Sequence, residues 1–160
     1  DYILAGNGLF IEGQGPLLRA VVQVAPAEVR GLLPLYEDME LSQGRIPIYL
    51  YDLALSTLAA HPDREGYLAV TWEGEYRVRV PEQEGTPGGV TYQPLPHTVM
   101  DIHSHGEMPA FFSGTDSRDE QGLRLSMVVG KLDTPWPEVA IRVGVYGYFV
   151  LVSRESVFQK

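Results

Sequence analysis

The chain of 160 residues predicts an α/β fold of the α+β kind, with few helices set among many strands. Three observations predict it. Apolar residues recur at helical spacing from Ile46 to Ala60 and stop at His61-Pro62. Tyr67–Trp72 and Glu75–Val80 are β-rich runs around Glu73-Gly74, a short hairpin turn. Val139–Val152 is strongly β-like and breaks near Tyr146-Gly147, a second hairpin.

The elements follow in order. In residues 1–45 short apolar runs are broken by Gly and Pro; Leu17–Val24, bounded by Gly15-Pro16 and Pro26, predicts a strand, while 2–10 and 32–41 do not declare a type. In the helix, Pro47 suits the first turn, and Tyr51, Leu55 and Leu58, with Ile48 and Ala54, form the expected buried stripe. Residues 81–89, Pro-Glu-Gln-Glu-Gly-Thr-Pro-Gly-Gly, predict a mobile loop. Strands are expected at 90–93 and 97–104, a loop at 106–114, a helix at 115–123 with a Ser117/Glu120 capping box, and a strand at 125–129. No linker interrupts the chain. The expectation is one domain over 1–160: a β-rich extension, 1–45, packed on a core, 46–152.

Composition excludes several classes. Hydrophobic residues are 44% and charged residues 21%, ordinary for a globular protein. A chain this long buries roughly 70% of its unfolded surface. No apolar run reaches the ~20 residues of a membrane helix, and no signal peptide is visible, although the chain begins at Asp1 without methionine. The absence of cysteine removes disulfides, thiol nucleophiles and cysteine-ligated zinc sites, and fits the cytoplasm. A net charge of −9 with scattered Lys and Arg disfavours nucleic acid.

The chemistry concentrates in His103-Ser-His-Gly-Glu-Met-Pro-Ala-Phe-Phe-Ser-Gly-Thr-Asp116. On a strand, His103 and His105 share a face. Two imidazoles and a nearby carboxylate make a three-ligand zinc site with an open fourth position. No histidine follows Asp116, so a downstream third ligand is a carboxylate, and Asp116 is well placed. Bland readings compete: two histidines on a solvated strand face, and Ser113 and Asp116 as helix-start residues. His61 suits a helix C-terminus and His97 an exposed strand start. A cupin and a 2-His-1-carboxylate oxygenase both lack their distal histidine here. An amidohydrolase barrel needs ~250 residues. A Ser-His-Asp triad from Ser104 or Ser113 lacks the Gly-X-Ser-X-Gly elbow.

The spacing resembles the JAMM motif of the MPN-plus, or Mov34-like, metalloproteases: His-X-His-Pro, then Ser-X-X-Asp with the serine eight residues after the second histidine. His105 to Ser113 is eight residues and Ser113 to Asp116 is three. The family's proline is Gly106 here, a change expected to loosen the loop without touching a ligand. The His-X-His-to-Asp segment, Ile141-Arg-Val-Gly-Val-Tyr-Gly, Arg30-Gly-Leu and Gly44-Arg-Ile-Pro look most like a bacterial subgroup, protein A of a ParB-related, ThiF-related cassette (PRTRC).

The resemblance implies a curved, mainly antiparallel sheet flanked by helices, similar to the cytidine-deaminase-like arrangement. It implies Zn2+ held by His103, His105 and Asp116, with Ser113 as oxyanion donor. It implies a glutamate general base upstream, for which Glu65 is the choice and Glu73 and Glu75 are runners-up. The substrate would be a peptide or isopeptide bond at the tail of a ubiquitin-like or sulfur-carrier-like protein, alongside a ThiF/E1-like enzyme. Phe111 and Phe112 would line the tail groove or fill core. A non-catalytic MPN-like binding module and a zinc amidase for a small substrate are the alternatives.

Overall fold

The computed structural model describes residues 1–86, 89–92, 95–112 and 122–160. The fold is mixed α/β and mostly strand. The chain opens with an antiparallel sheet of β1 (Tyr2–Ala5), β2 (Gly8–Gln14), β3 (Leu18–Pro26) and β4 (Asp38–Leu41) in sequential order. The predicted strand at 17–24 is therefore β3, and the segments that declared no type supply its neighbours. A short β5 (Ile46–Pro47) leads into helix α1 (Ile48–Ala59).

Pro47 sits at the helix N-cap with extended backbone, one position before the first turn where the sequence placed it. The buried face of α1 is Leu50, Tyr51, Ala54 and Leu58, with Ile48 and Leu55 partly covered. Leu50 thus takes a central place that the expected stripe gave to Leu55. The helix ends at Ala60, and the His61 amide closes the last turn on the Leu58 carbonyl.

The principal sheet has six strands. These are β6 (Tyr67–Trp72), β7 (Tyr76–Arg79), β10 (Thr98–Ser104), β11 (Leu123–Gly130), β12 (Glu138–Val145) and β13 (Tyr148–Leu151), ordered β13-β12-β11-β10-β6-β7. All its pairings are antiparallel except β10 with β11. A parallel pair needs a crossover from one end of the sheet to the other. Here the chain leaves β10 at the second histidine.

Residues 81–89, expected as a loop, instead begin a two-stranded hairpin, β8 (Gln83–Thr86) with β9 (Gly89–Tyr92). The chain closes with α2 (Arg154–Val157) and β14 (Phe158–Gln159), which pairs in parallel with β5. The expected helix at 115–123 falls on residues outside those described, except at its end, where Leu123 already belongs to β11.

Alternation sorts the two faces of the sheet. Leu68, Val70, Met100, Ile102, Leu125, Met127, Ile141 and Val143 pack with α1 and with Ile11, Ala20 and Val22 of the first sheet in one core. Fully burying each such side chain contributes roughly 1.5–3 kcal/mol before the entropy of ordering it. Residues of the N-terminal sheet are thus part of the same core. The opposite face carries Tyr67, Asp101, His103, Arg124, Ser126 and Arg142, and both imidazoles are on or just beyond it. Among the described residues, no helix is long and apolar enough to cross a membrane.

Candidate metal centre at the end of strand β10

His103 is the penultimate residue of β10, and His105 follows where the strand turns away. The reading of a solvated strand face does not hold, because the two side chains are only 8% and 6% exposed. Their ring centres stand 5.5 Å apart. Two imidazoles sharing one tetrahedral ion at roughly 2 Å would hold their centres about 5 Å apart, so the pair fits a zinc ion. His105 Nδ1 lies 3.3 Å from the Pro109 carbonyl oxygen. With the proton on Nδ1, that bond orients the ring and assigns the metal-binding lone pair to Nε2.

The turn beyond His105 is tied down. The His105 amide donates to the Val129 carbonyl at the end of β11. Gly106 has φ +59°, in the left-handed region, and a Cβ there would lie 2.8 Å from the Pro62 carbonyl oxygen. Proline, fixed near φ −65°, cannot take that conformation. The glycine is therefore the residue of a tight turn packed against 62–64. The Lys131 amide donates to Met108 O at 2.8 Å and the Leu132 amide to Gly106 O at 2.9 Å, joining this loop to the β11–β12 connection.

The same packing delivers Glu65. Ser104 N donates to Gly66 O, and Gly66 N donates to Ser104 Oγ, both at 2.9 Å. These reciprocal bonds hold Glu65-Gly66 beside the His-X-His strand end. Gln83 adds a further tie: its Oε1 accepts from Tyr67 N at 2.7 Å and its Nε2 donates to Tyr67 O at 2.8 Å. A side-chain amide thus completes the edge of β6 where β7 no longer covers it. A cleft of about 570 Å3 opens here, lined by Leu58, His61, Arg64, Glu65, Gln83 and Ser104 among others.

The two runner-up carboxylates are elsewhere. Glu73 follows the far end of β6, six residues beyond Tyr67, which is itself opposite His103. Five strand steps span roughly 17 Å. Glu73 binds Arg79 at 2.6 and 2.8 Å and accepts from Thr71 Oγ1 at 2.7 Å. These bonds, Arg79 first, pull its carboxyl down from 4.5 to about 2. Glu75 pairs with Arg77 at 2.7 Å in the same hairpin. Both serve the turn.

Ser113 and Asp116 lie outside the described residues, and so does the Ser117/Glu120 capping box. Among the described residues no three ligand side chains converge; His103 and His105 supply two. His61 is exposed and lines the cleft. His97 precedes β10 at φ +58°, exposed at the opposite end of the strand from His103. Phe111 is 43% exposed, with its ring 4.6 Å from that of His105, and Phe112 meets His103 edge-on at 6.5 Å. Neither phenylalanine belongs to the core.

Polar groups that the motif does not mark lie on the same face and beside the pair. Asp101, on the His103 face, accepts from the Tyr67 hydroxyl and from Arg124, whose Nε lies 3.1 Å from Oδ2. The alternation Asp101-Ile-His103 carried that signal. Ser104 and Gln83 carried none, because their partners are distant in sequence.

The chain matches the family described as prokaryotic homologs of the JAB domain over residues 25–142. It belongs to that family. The match takes in α1, the Glu65 segment, the His-X-His strand and β12 as far as Arg142, and it begins within the N-terminal sheet. A search of curated proteins finds no match. The JAB assignment agrees with the fold and includes both metalloisopeptidases and MPN-like modules without catalysis.

Proposed function

We propose that this JAB domain is a zinc metallopeptidase that cleaves a peptide or isopeptide bond at the tail of a ubiquitin-like or sulfur-carrier-like protein. The observation that carries the reading is the convergence of two buried imidazoles, at ion-sharing distance, with the Glu65 segment at one strand end. His103, His105 and Asp116 would hold the ion. Bound zinc supplies a water whose pKa falls to about 7 and a Lewis acid beside the scissile carbonyl. Glu65 takes the proton from the attacking water and returns it to the leaving amine nitrogen. Ser113 donates a hydrogen bond to the carbonyl oxygen as it gains negative charge; one such donor contributes roughly 3 kcal/mol. The turn at Gly106 and the Ser104–Gly66 bonds hold the base and the imidazoles in fixed relation, which is what proximity catalysis requires.

The PRTRC-like subgroup, a ThiF/E1-like partner and a cytoplasmic setting belong to this same reading, on the sequence features given above. A second reading has its own support. A cleft of about 570 Å3 is of the size that encloses a small ligand, which favours a small-amide hydrolase.

The test uses zinc-loaded protein and a ubiquitin-like protein fused through its tail to a reporter. Wild type should release the reporter, and Glu65→Gln should retain zinc and release none. Normal cleavage by Glu65→Gln would remove Glu65 from the mechanism. Cleavage of small amides but not of the fusion would select the second reading.

A further inference from the structure

Arg142 sits on β12, on the face that carries His103, and is only 6% exposed. The register fixes its place: Asp101 pairs with Ser126, and Ser126 with Arg142, one step along the sheet from His103 and Val128. Its guanidinium carbon lies 4.0 Å from the centre of the Phe112 ring and 3.9 Å from that of Phe149. The Phe149 ring in turn lies against Gly144, its cross-strand partner, where a Cβ would come within 2.7 Å of two ring carbons. Any side chain at 144 would lift that ring away. Phe112 also meets the His103 ring edge-on, at 75° between planes. The result is a chain of contacts from the sheet to the candidate metal ligand: Gly144, Phe149, Arg142, Phe112, His103.

A buried arginine between two rings gains cation–π attraction on both faces, strengthened by its removal from water. Phe112 directly precedes Ser113, and Phe111 touches His105. Whatever fixes Phe112 fixes the wall beside His103.

We propose that Arg142 is a positioning residue for the metal centre, acting through Phe112 on the His103 ring. The contacts would make the orientation of His103, and hence its ability to share an ion, depend on a cation two strands away. The part of the test that uses metal rests on the zinc reading above; the first part does not.

In metal-free protein, the ring signals of the four histidines would be followed by NMR, with His103 assigned by its loss in His103→Gln. Arg142→Met, which keeps length and loses charge, should shift the His103 signals and leave those of His61 and His97 in place. Arg142→Lys should restore most of the wild-type position, since an ammonium keeps the attraction to the ring. In a Phe112→Leu background, whose lost ring current itself moves His103, Arg142→Met should shift His103 no further, and Arg142→Gln serves as the informative variant if Arg142→Met fails to fold. In zinc titrations against a chelator, Arg142→Met should bind about tenfold more weakly, and the double variant no more weakly than either single one. Unmoved His103 signals and wild-type zinc affinity, with only the melting temperature lowered, would overturn the proposal and leave Arg142 a structural residue. If wild type binds no zinc, the function reading fails, and the NMR comparison still decides the role of Arg142.

Discussion

Replacing Gly106 by alanine separates two costs that the structure assigns to one position. The first is conformational: φ is +59°, and a side chain in the left-handed region costs roughly 1–2 kcal/mol. The second is steric. The new Cβ would lie 2.8 Å from the Pro62 carbonyl oxygen, a backbone atom that moves only with its loop. Overpacking of that kind adds about 1–3 kcal/mol. Gly74 supplies the control, because its φ is +82° and nothing lies within 4 Å of its Cβ position. Gly74→Ala should therefore cost roughly 1–2 kcal/mol and Gly106→Ala about 2–5 kcal/mol in urea unfolding at equal m-value. Gly106→Pro should cost more still, since its ring cannot reach the required φ. Equal costs for the two alanine variants would refute the claim that the histidine turn abuts the loop bearing Glu65.

Two further outcomes follow from particular contacts. Ser104→Ala removes the acceptor of the Gly66 amide and should cost about 1–3 kcal/mol; zinc content should stay at the wild-type level while reporter cleavage falls, and an unchanged cleavage rate would show that this bond does not place Glu65. Glu73 has a folded pKa of about 2, depressed from 4.5 by Arg79 and Thr71. Its contribution is present above pH 4.5 and is lost as pH falls toward 2. Glu73→Gln should therefore flatten the loss of melting temperature between pH 5 and pH 3, and identical slopes would contradict the assigned pairing.

Local pattern made much of this molecule legible. The helix, the β6–β7 hairpin, the β12–β13 hairpin and the strand leading to His103 all follow from alternation, helical spacing and turn residues within a single window. The candidate pair, His103 and His105, was legible because its residues stand one residue apart on a single strand end. The parts that were missed depend on partners far along the chain. Residues 81–89 are rich in Gly, Pro and Glu, which read as loop, yet Gln83 opens β8 and is anchored by its carboxamide to Tyr67, and only the expected strand at 90–93 pointed to β9. β14 finds β5 across more than a hundred residues. The parallel pairing of β10 and β11 depends on a crossover, and no residue type announces it. Gly106 shows the same limit from the other side. As a letter it looked like a loss of stiffness, and only its contact with Pro62 explains why the turn takes glycine.

The most direct test of the central claim is zinc per chain after loading and removal of excess metal, by elemental analysis, in wild type, His103→Ala and Glu65→Gln. About one zinc is expected in wild type and in Glu65→Gln, and none in His103→Ala. Wild-type protein without tightly held zinc would contradict it, and the paired imidazoles would then belong to a JAB domain that binds rather than cuts.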